Sequence, residues 1–230
     1  MRLLVKDAAR LLDVSEKTIY RWIKQGSIPA YRLHDQYRFN RAEILEWATA
    51  RRIAVSPEIF REEDAEAASL PHLHDALKAG GIYYRIGGSD KATVLHNVVE
   101  TMHLPEEVDR KFLHEVLMAR EALGSTAIGD GIAIPHVRNP VILHLQRPLV
   151  TVCFLERPVA FGALDGKPVN TLFTLISPTL RAHLHLLSRL SFALRDHTFK
   201  EAVLRQAPRE ELMAAVERFE QQLGFIDTQV

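Results

Sequence analysis

Thiols are nearly missing from this chain. Cys153 is the one cysteine among 230 residues, so no disulfide can close within it. Its place in the apolar run Leu149-Val150-Thr151-Val152-Cys153-Phe154-Leu155 marks a buried, inert thiol in a strand and fits a reducing, cytoplasmic setting. Long apolar runs are missing too. Nothing approaches the roughly 18 consecutive apolar residues of a membrane span, and Met1-Arg2-Leu3-Leu4-Val5-Lys6-Asp7 lacks the apolar stretch of a secretory signal. There is no internal repeat and no low-complexity tract. Net charge is also zero, with 29 Lys and Arg against 29 Asp and Glu.

That zero hides an asymmetry. Residues 1–52 hold eleven basic and six acidic residues, a net +5, which leaves −5 for the rest of the chain. A basic head on an acidic body suggests that the head meets a polyanion. The length suits two unequal domains, and the apolar content of 47% can fill both cores.

Within the head, Leu4, Ala8, Leu11 and Leu12 recur at helical spacing, predicting a helix over Val5 to Leu12. After Asp13-Val14, Ser15 is a good N-cap for a second helix, Glu16 to Lys24. Ile19, Trp22 and Ile23 face inward there, Lys17, Thr18, Arg21 and Lys24 face outward, and Gln25-Gly26 ends the helix. Two helices joined by three residues make a helix-turn-helix, whose second helix would enter the DNA major groove. Ala30 to Leu33 and Gln36 to Asn40, joined by His34-Asp35, read as a hairpin wing that offers Arg32 and Arg38 to phosphate. Asn40 and Glu43 suit the capped start of a third helix, Arg41 to Arg51, with Ile44, Leu45, Trp47 and Ala48 inward.

This order, with Ser-x-x-Thr-Ile-Tyr-Arg-Trp-Ile and the Gly-x-Ile-Pro-Ala turn, resembles the excisionase and MerR-like winged-helix DNA-binding domains over about residues 1 to 50. The resemblance implies DNA as a partner. The competing reading is a basic face that is merely solvated.

Residues 53–69 are acidic and rich in alanine, a tether or solvated helix between two cores. The expected boundaries are therefore 1–52 for the DNA-binding domain, 53–69 for the linker and 70–230 for a second domain. In the second domain, helices are expected at Leu70 to Ala79, Lys91 to Met102, Pro105 to Arg120, Leu180 to Asp196, Lys200 to Gln206 and Arg209 to Leu223. Strands are expected at Ile82 to Ile86, Val150 to Leu155 and Thr171 to Ile176, besides a strand leading to His136. The mixture predicts an α/β fold, a mixed sheet with helices on both faces.

The chemistry centres on Ala119-Arg120-Glu121-Ala122-Leu123-Gly124-Ser125-Thr126-Ala127-Ile128-Gly129-Asp130-Gly131-Ile132-Ala133-Ile134-Pro135-His136. Gly124, Gly129 and Gly131 free the backbone for close approach, and the alternating run after them delivers one imidazole behind a proline. The pattern suggests a histidine open to a partner, with Ser125, Gly129 and Gly131 bringing hydroxyl and backbone donors close to it.

That stretch closely resembles the active-site signature of the type-2 enzyme IIA domains of the bacterial sugar phosphotransferase system, including the nitrogen-regulatory branch. Asp165-Gly166-Lys167-Pro168-Val169 and His183-Leu184-His185-Leu186-Leu187 extend the resemblance over roughly residues 70 to 225. It implies that His136 accepts a phosphoryl group from a histidine-containing phosphocarrier protein. Arg120 and His183 match the family's arginine and second histidine. His185, about 200° further around a helix, should face elsewhere. Val137 and Ala127 stand where the family commonly has glycine, and Asp130 where it commonly has asparagine. No cofactor and no metal are expected, because neither His-x-His pair puts both rings on one helical face.

Together these observations predict a phosphorylation-responsive transcription regulator, with a homodimer as a further option for the DNA-binding head. The alternatives are a phosphocarrier that serves a separate acceptor or permease, and a degenerate sensor that binds a phosphocarrier without accepting phosphate.

Overall fold

A computed structural model describes residues 2–33, 36–51, 53, 70–106, 108–137 and 145–227. The chain divides into two compact units, Met1–Ser69 and Leu70–Val230. Apart from Ile53, the expected linker lies outside the described residues, as does the wing turn His34-Asp35.

The first unit runs β1 (Arg2–Leu3), α1 (Val5–Leu11), α2 (Glu16–Lys24), β2 (Tyr31–Leu33), β3 (Gln36–Asn40) and α3 (Arg41–Ala50). Ser15 caps α2 as its side chain predicts, with Oγ accepting from the Thr18 amide at 3.2 Å. Strand β1, too short to leave a pattern in the sequence, pairs antiparallel with β3 and completes a three-stranded sheet in the order β1-β3-β2. Ala8, Leu12, Ile19, Phe39, Ile44, Leu45 and Ala48 form the buried centre. Beside them Trp22 and Trp47 pack edge to face at 5.0 Å, and the Trp47 indole donates to the Ser27 carbonyl.

The second unit runs α4 (Leu73–Gly80), β4 (Ile82–Ile86), α5 (Lys91–Thr101), α6 (Arg110–Ala122), β5 (Ala127–Gly129), β6 (Ile132–Ala133), β7 (Leu149–Val159), β8 (Val169–Ile176), α7 (Leu180–Ala193), α8 (His197–Leu204) and α9 (Arg209–Asp227). The sheet order is β4-β7-β8-β6-β5; β4 is parallel to β7 and β6 to β8, whereas β7/β8 and β5/β6 are antiparallel. Both faces of the central strands are buried, so their apolar runs divide by parity. Val150, Val152, Phe154, Phe173 and Leu175 join the core under α4, α7, α8 and α9. Leu149, Cys153, Leu155, Leu172 and Ile176 join the core under α5 and α6. This is the expected mixed sheet with helices on both faces. Close packing reaches the backbone at Gly80, where a Cβ would lie 2.4 Å from the Val150 carbonyl oxygen.

Helix α6 departs from expectation. Pro105 opens only a turn, closed by Val108 N–H on the Pro105 carbonyl, and the helix starts at Asp109, whose carboxylate caps the Phe112 amide at 3.0 Å. A side-chain cap competed with proline for the first turn and won. Among the described residues, no helix is long and apolar enough to cross a membrane.

Candidate functional site

His136 follows β6 and bridges to Leu175 near the end of β8, so the sheet itself fixes its position. The Leu175 amide donates to the Pro135 carbonyl at 2.9 Å. The chain leaves β8 at Ile176 and re-enters helix at Leu180, after Thr179 caps the Ala182 amide. The first turn of α7 thereby presents His183 to His136, with ring centroids 5.3 Å apart and planes tilted by 45°. Arg120 arrives from the opposite direction, in the last turn of α6.

Two hydrogen bonds define the state of the His136 ring. Nδ1 lies 2.8 Å from the Ile134 carbonyl oxygen, which can only accept, so the ring hydrogen is on Nδ1. Nε2 then carries the lone pair, and Arg120 Nε–H donates to it at 3.2 Å. The same guanidinium donates from Nη1 to the Gly124 carbonyl at 2.9 Å. The lone-pair nitrogen is therefore already paired with a cation. The ring is only 3% exposed, so the expectation of an open histidine is corrected. Arg120, whose side chain is half-buried, occupies Nε2 in this state.

The remaining expected residues separate into near and far. The antiparallel register Ala127↔Ala133 carries Ser125 back toward the Pro135-His136 end of the hairpin. Its hydroxyl is committed to the Phe161 carbonyl at 2.6 Å and accepts from the Ala127 amide at 3.1 Å. Gly129 and Gly131 lie at the other end. β8 pairs with Ile132 at Thr171 and with His136 at Leu175, which puts Gly131 roughly 16 Å from His136 along the strand. The structure does not bring these glycines to the imidazole. Gly129 ends β5, and Gly131 belongs to a two-residue hairpin turn in which Asp130 and Gly131 have φ of 53° and 74°, the signs of a type I′ turn. Asp-Gly between apolar residues is the sequence signal for such a turn. It also accounts for an acid at 130, since aspartate and asparagine both tolerate that backbone. The Asp130 carboxylate is neutralised by Lys167 at 3.2 Å and Lys200 at 2.8 Å.

His185 is buried on another side of α7. It hydrogen-bonds the Pro71 backbone, with Arg189, His72 and Arg181 as neighbours. Desolvation, then Arg189 and His72, push its pKa down to about 4. Sequence reasoning missed Lys91, Glu121 and Thr126, which stand behind the Gly124–Thr126 turn. Glu121 was visible only as the acid beside Arg120. Among the described residues, no group of three or more histidine, cysteine, aspartate or glutamate side chains could hold a metal ion.

In the first unit, Lys17, Arg21 and Lys24 are exposed on one face of α2. Thr18 is half-buried, and its hydroxyl is shared with Ser15 Oγ at 3.0 Å, which occupies it in capping. Arg38 on β3 is half-buried and donates to Gln36 at 2.8 Å; the side chain of Arg32 lies outside the described residues. Tyr20, absent from the expected set, is exposed beside Arg21 and meets Tyr37 of the wing edge to face at 6.3 Å.

Residues 76–219 match the family described as "Phosphoenolpyruvate-dependent sugar phosphotransferase system, EIIA 2", and residues 3–52 match a family described as "Helix-turn-helix domain". The "Nitrogen regulatory protein" of Pseudomonas aeruginosa is 39% identical over 145 residues, which span 61% of this chain and 91% of that protein. The protein of the same name from Escherichia coli is 39% identical over 99 residues, 42% of this chain and 57% of that one. The solved structure of "Nitrogen Regulatory Protein IIA-Ntr from Neisseria meningitidis" superposes with a TM-score of 0.51 at 29% identity, covering 59% of this chain and 92% of that one.

Proposed function

The chain belongs to the EIIA type-2 family of the phosphoenolpyruvate-dependent sugar phosphotransferase system, and from that premise we propose that it is a transcription regulator whose DNA-binding unit responds to phosphorylation of His136. The observation that carries this reading is the ring state of His136. A hydrogen held on Nδ1 by the Ile134 carbonyl leaves Nε2 as the nucleophile, facing Arg120.

In the transfer, the Nε2 lone pair attacks phosphorus and forms an N–P bond. The donor's own N–P bond breaks, and its electron pair returns to the imidazole of a histidine-containing phosphocarrier protein. Positive charge placed on the His136 ring in this step is shared through Nδ1–H with the carbonyl. The guanidinium of Arg120, displaced from Nε2, supplies charge-assisted hydrogen bonds to the phosphoryl oxygens. His183 stands within reach as a second donor. The relatives' name, "Nitrogen regulatory protein", and a helix-turn-helix in the same chain support a signalling use for the added charge. In the first unit, Lys17, Arg21 and Lys24 on α2 contact the major groove or its phosphates, and Arg32 and Arg38 serve the wing.

The test is to supply phosphoenolpyruvate, the general phosphotransferase and the phosphocarrier to the full chain and to His136→Ala, then to follow phosphate uptake and duplex DNA binding. The reading expects stable labelling of the wild type alone and a change of DNA affinity on labelling. Labelling of the alanine variant overturns the site. Labelling with no effect on DNA overturns the regulatory part and leaves a phosphocarrier.

A further inference from the structure

Arg120 and Glu121 are sequence neighbours whose side chains enter one closed circuit of hydrogen bonds from opposite ends. Glu121 is buried, and its Oε2 accepts from both the amide and the hydroxyl of Thr126, at 3.0 and 2.6 Å. The Thr126 carbonyl accepts from the Ile134 amide at 3.0 Å. The Ile134 carbonyl accepts from His136 Nδ1, and His136 Nε2 accepts from Arg120 Nε. The path begins at Glu121 and ends at the residue before it.

Lys91 anchors the circuit from outside. Its ammonium lies 3.0 Å from Glu121 Oε1 and donates to the Phe161 carbonyl at 3.1 Å, the same oxygen that takes the Ser125 hydroxyl. A carboxylate that accepts three hydrogen bonds in a site this dry has a fixed orientation. The peptide it fixes passes that orientation to the one oxygen able to select a His136 tautomer. The peptide between Ile134 and Pro135 has no N–H of its own, so it is held from either side, by Thr126 at the Ile134 amide and by Leu175 at the Pro135 carbonyl, while Arg120 favours the same tautomer from Nε2.

We propose that Glu121, held by Lys91, is a positioning residue that sets which ring nitrogen His136 presents. Displacing the Thr126 carbonyl loosens Ile134, lengthens the hydrogen bond from Nδ1 to the Ile134 carbonyl and allows the hydrogen to occupy Nε2, the nitrogen that must attack. Glu121 touches no reacting atom. It acts through Thr126 and Ile134, and the proposal rests on the phosphoacceptor reading for its consequence but not for its geometry.

The experiment uses the full chain with Glu121→Gln and Lys91→Met combined, which removes both charges at nearly constant volume. Ring 15N spectra of His136 at alkaline pH read the tautomer directly, and phosphate uptake from the phosphocarrier gives kcat and KM. The expected result is a mixed tautomer population in place of the Nδ1–H form, with kcat lowered about tenfold or more and KM for the phosphocarrier unchanged. If the double variant fails to fold, Thr126→Val, which deletes the 2.6 Å bond alone, carries the same expectation in smaller degree. An unmoved tautomer in a folded variant overturns the proposal, even where the melting temperature falls. A shifted tautomer in a protein whose wild type takes no phosphate upholds the positioning role and overturns the phosphoacceptor reading instead.

Discussion

The two units handle charge in opposite ways. In the second, the groups around His136 are closed in and spoken for: an imidazole 3% exposed, a buried carboxylate, a lysine and an arginine directed at named atoms. In the first, Lys17, Arg21 and Lys24 extend into solvent from one face of α2. Chemistry at one atom needs donors fixed in advance at the reacting position. Attraction to a polyanion needs accessible cations that release counterions, and tolerates their motion. The same residue types therefore carry different sensitivities, and substitutions should separate the two regimes.

The largest effect is expected where the fixed donor is lost. Arg120→Ala should lower the rate of phosphate uptake about 10²- to 10³-fold, with Arg120→Lys recovering only part because its point charge cannot reproduce the fork to Nε2 and Gly124. Single-turnover labelling checks this. A loss under threefold would place Arg120 outside the transfer.

Acid should come next, through His185. Its folded pKa, about 4, lies below the ordinary histidine value, so the unfolded chain takes up a proton before the folded one. Stability is complete above about pH 6.5 and declines as the pH falls toward 4. The decline is about 2 kcal/mol once residual solvent screening is discounted. Urea unfolding across this window should show a flatter decline in His185→Gln, and parallel curves would remove His185 as the cause.

Smaller effects belong to the exposed unit. Lys17→Ala and Arg21→Ala should each weaken duplex binding about tenfold or less and reduce the magnitude of the salt slope by about one. Slopes that match wild type would detach α2 from phosphate. Cys153 marks the zero of the scale: burial pushes its thiol up to about 12, so thiol reagents should modify it only after unfolding. Rapid native labelling would contradict its place in the core.

Elements set by adjacent residues were legible in the sequence. Helix α2, from its Ser15 cap to Gln25, needed only local signals, and the unbroken apolar runs Val150 to Leu155 and Thr171 to Ile176 already marked β7 and β8 as strands. The start of α6 was misread because Pro105 and Asp109 offer competing first turns, and the side-chain cap of Asp109 prevails. The glycines at 129 and 131 were assigned to ligand approach, although the Asp-Gly pair already encoded a hairpin that carries them away from His136. The buried support of the site was not legible, since Glu121 meets Lys91 from 30 residues away and Ser125 meets the Phe161 carbonyl from 36. A backbone oxygen recruited at that distance leaves no mark in composition or spacing.

The account depends most on which nitrogen of which histidine carries phosphate. Multinuclear NMR of the full chain after incubation with phosphoenolpyruvate, the general phosphotransferase and the phosphocarrier would assign the phosphorylated ring atom. The expected result is phosphorus coupled to Nε2 of His136, with hydrogen still on Nδ1. Phosphate on Nδ1, on His183 or on no histidine would contradict it.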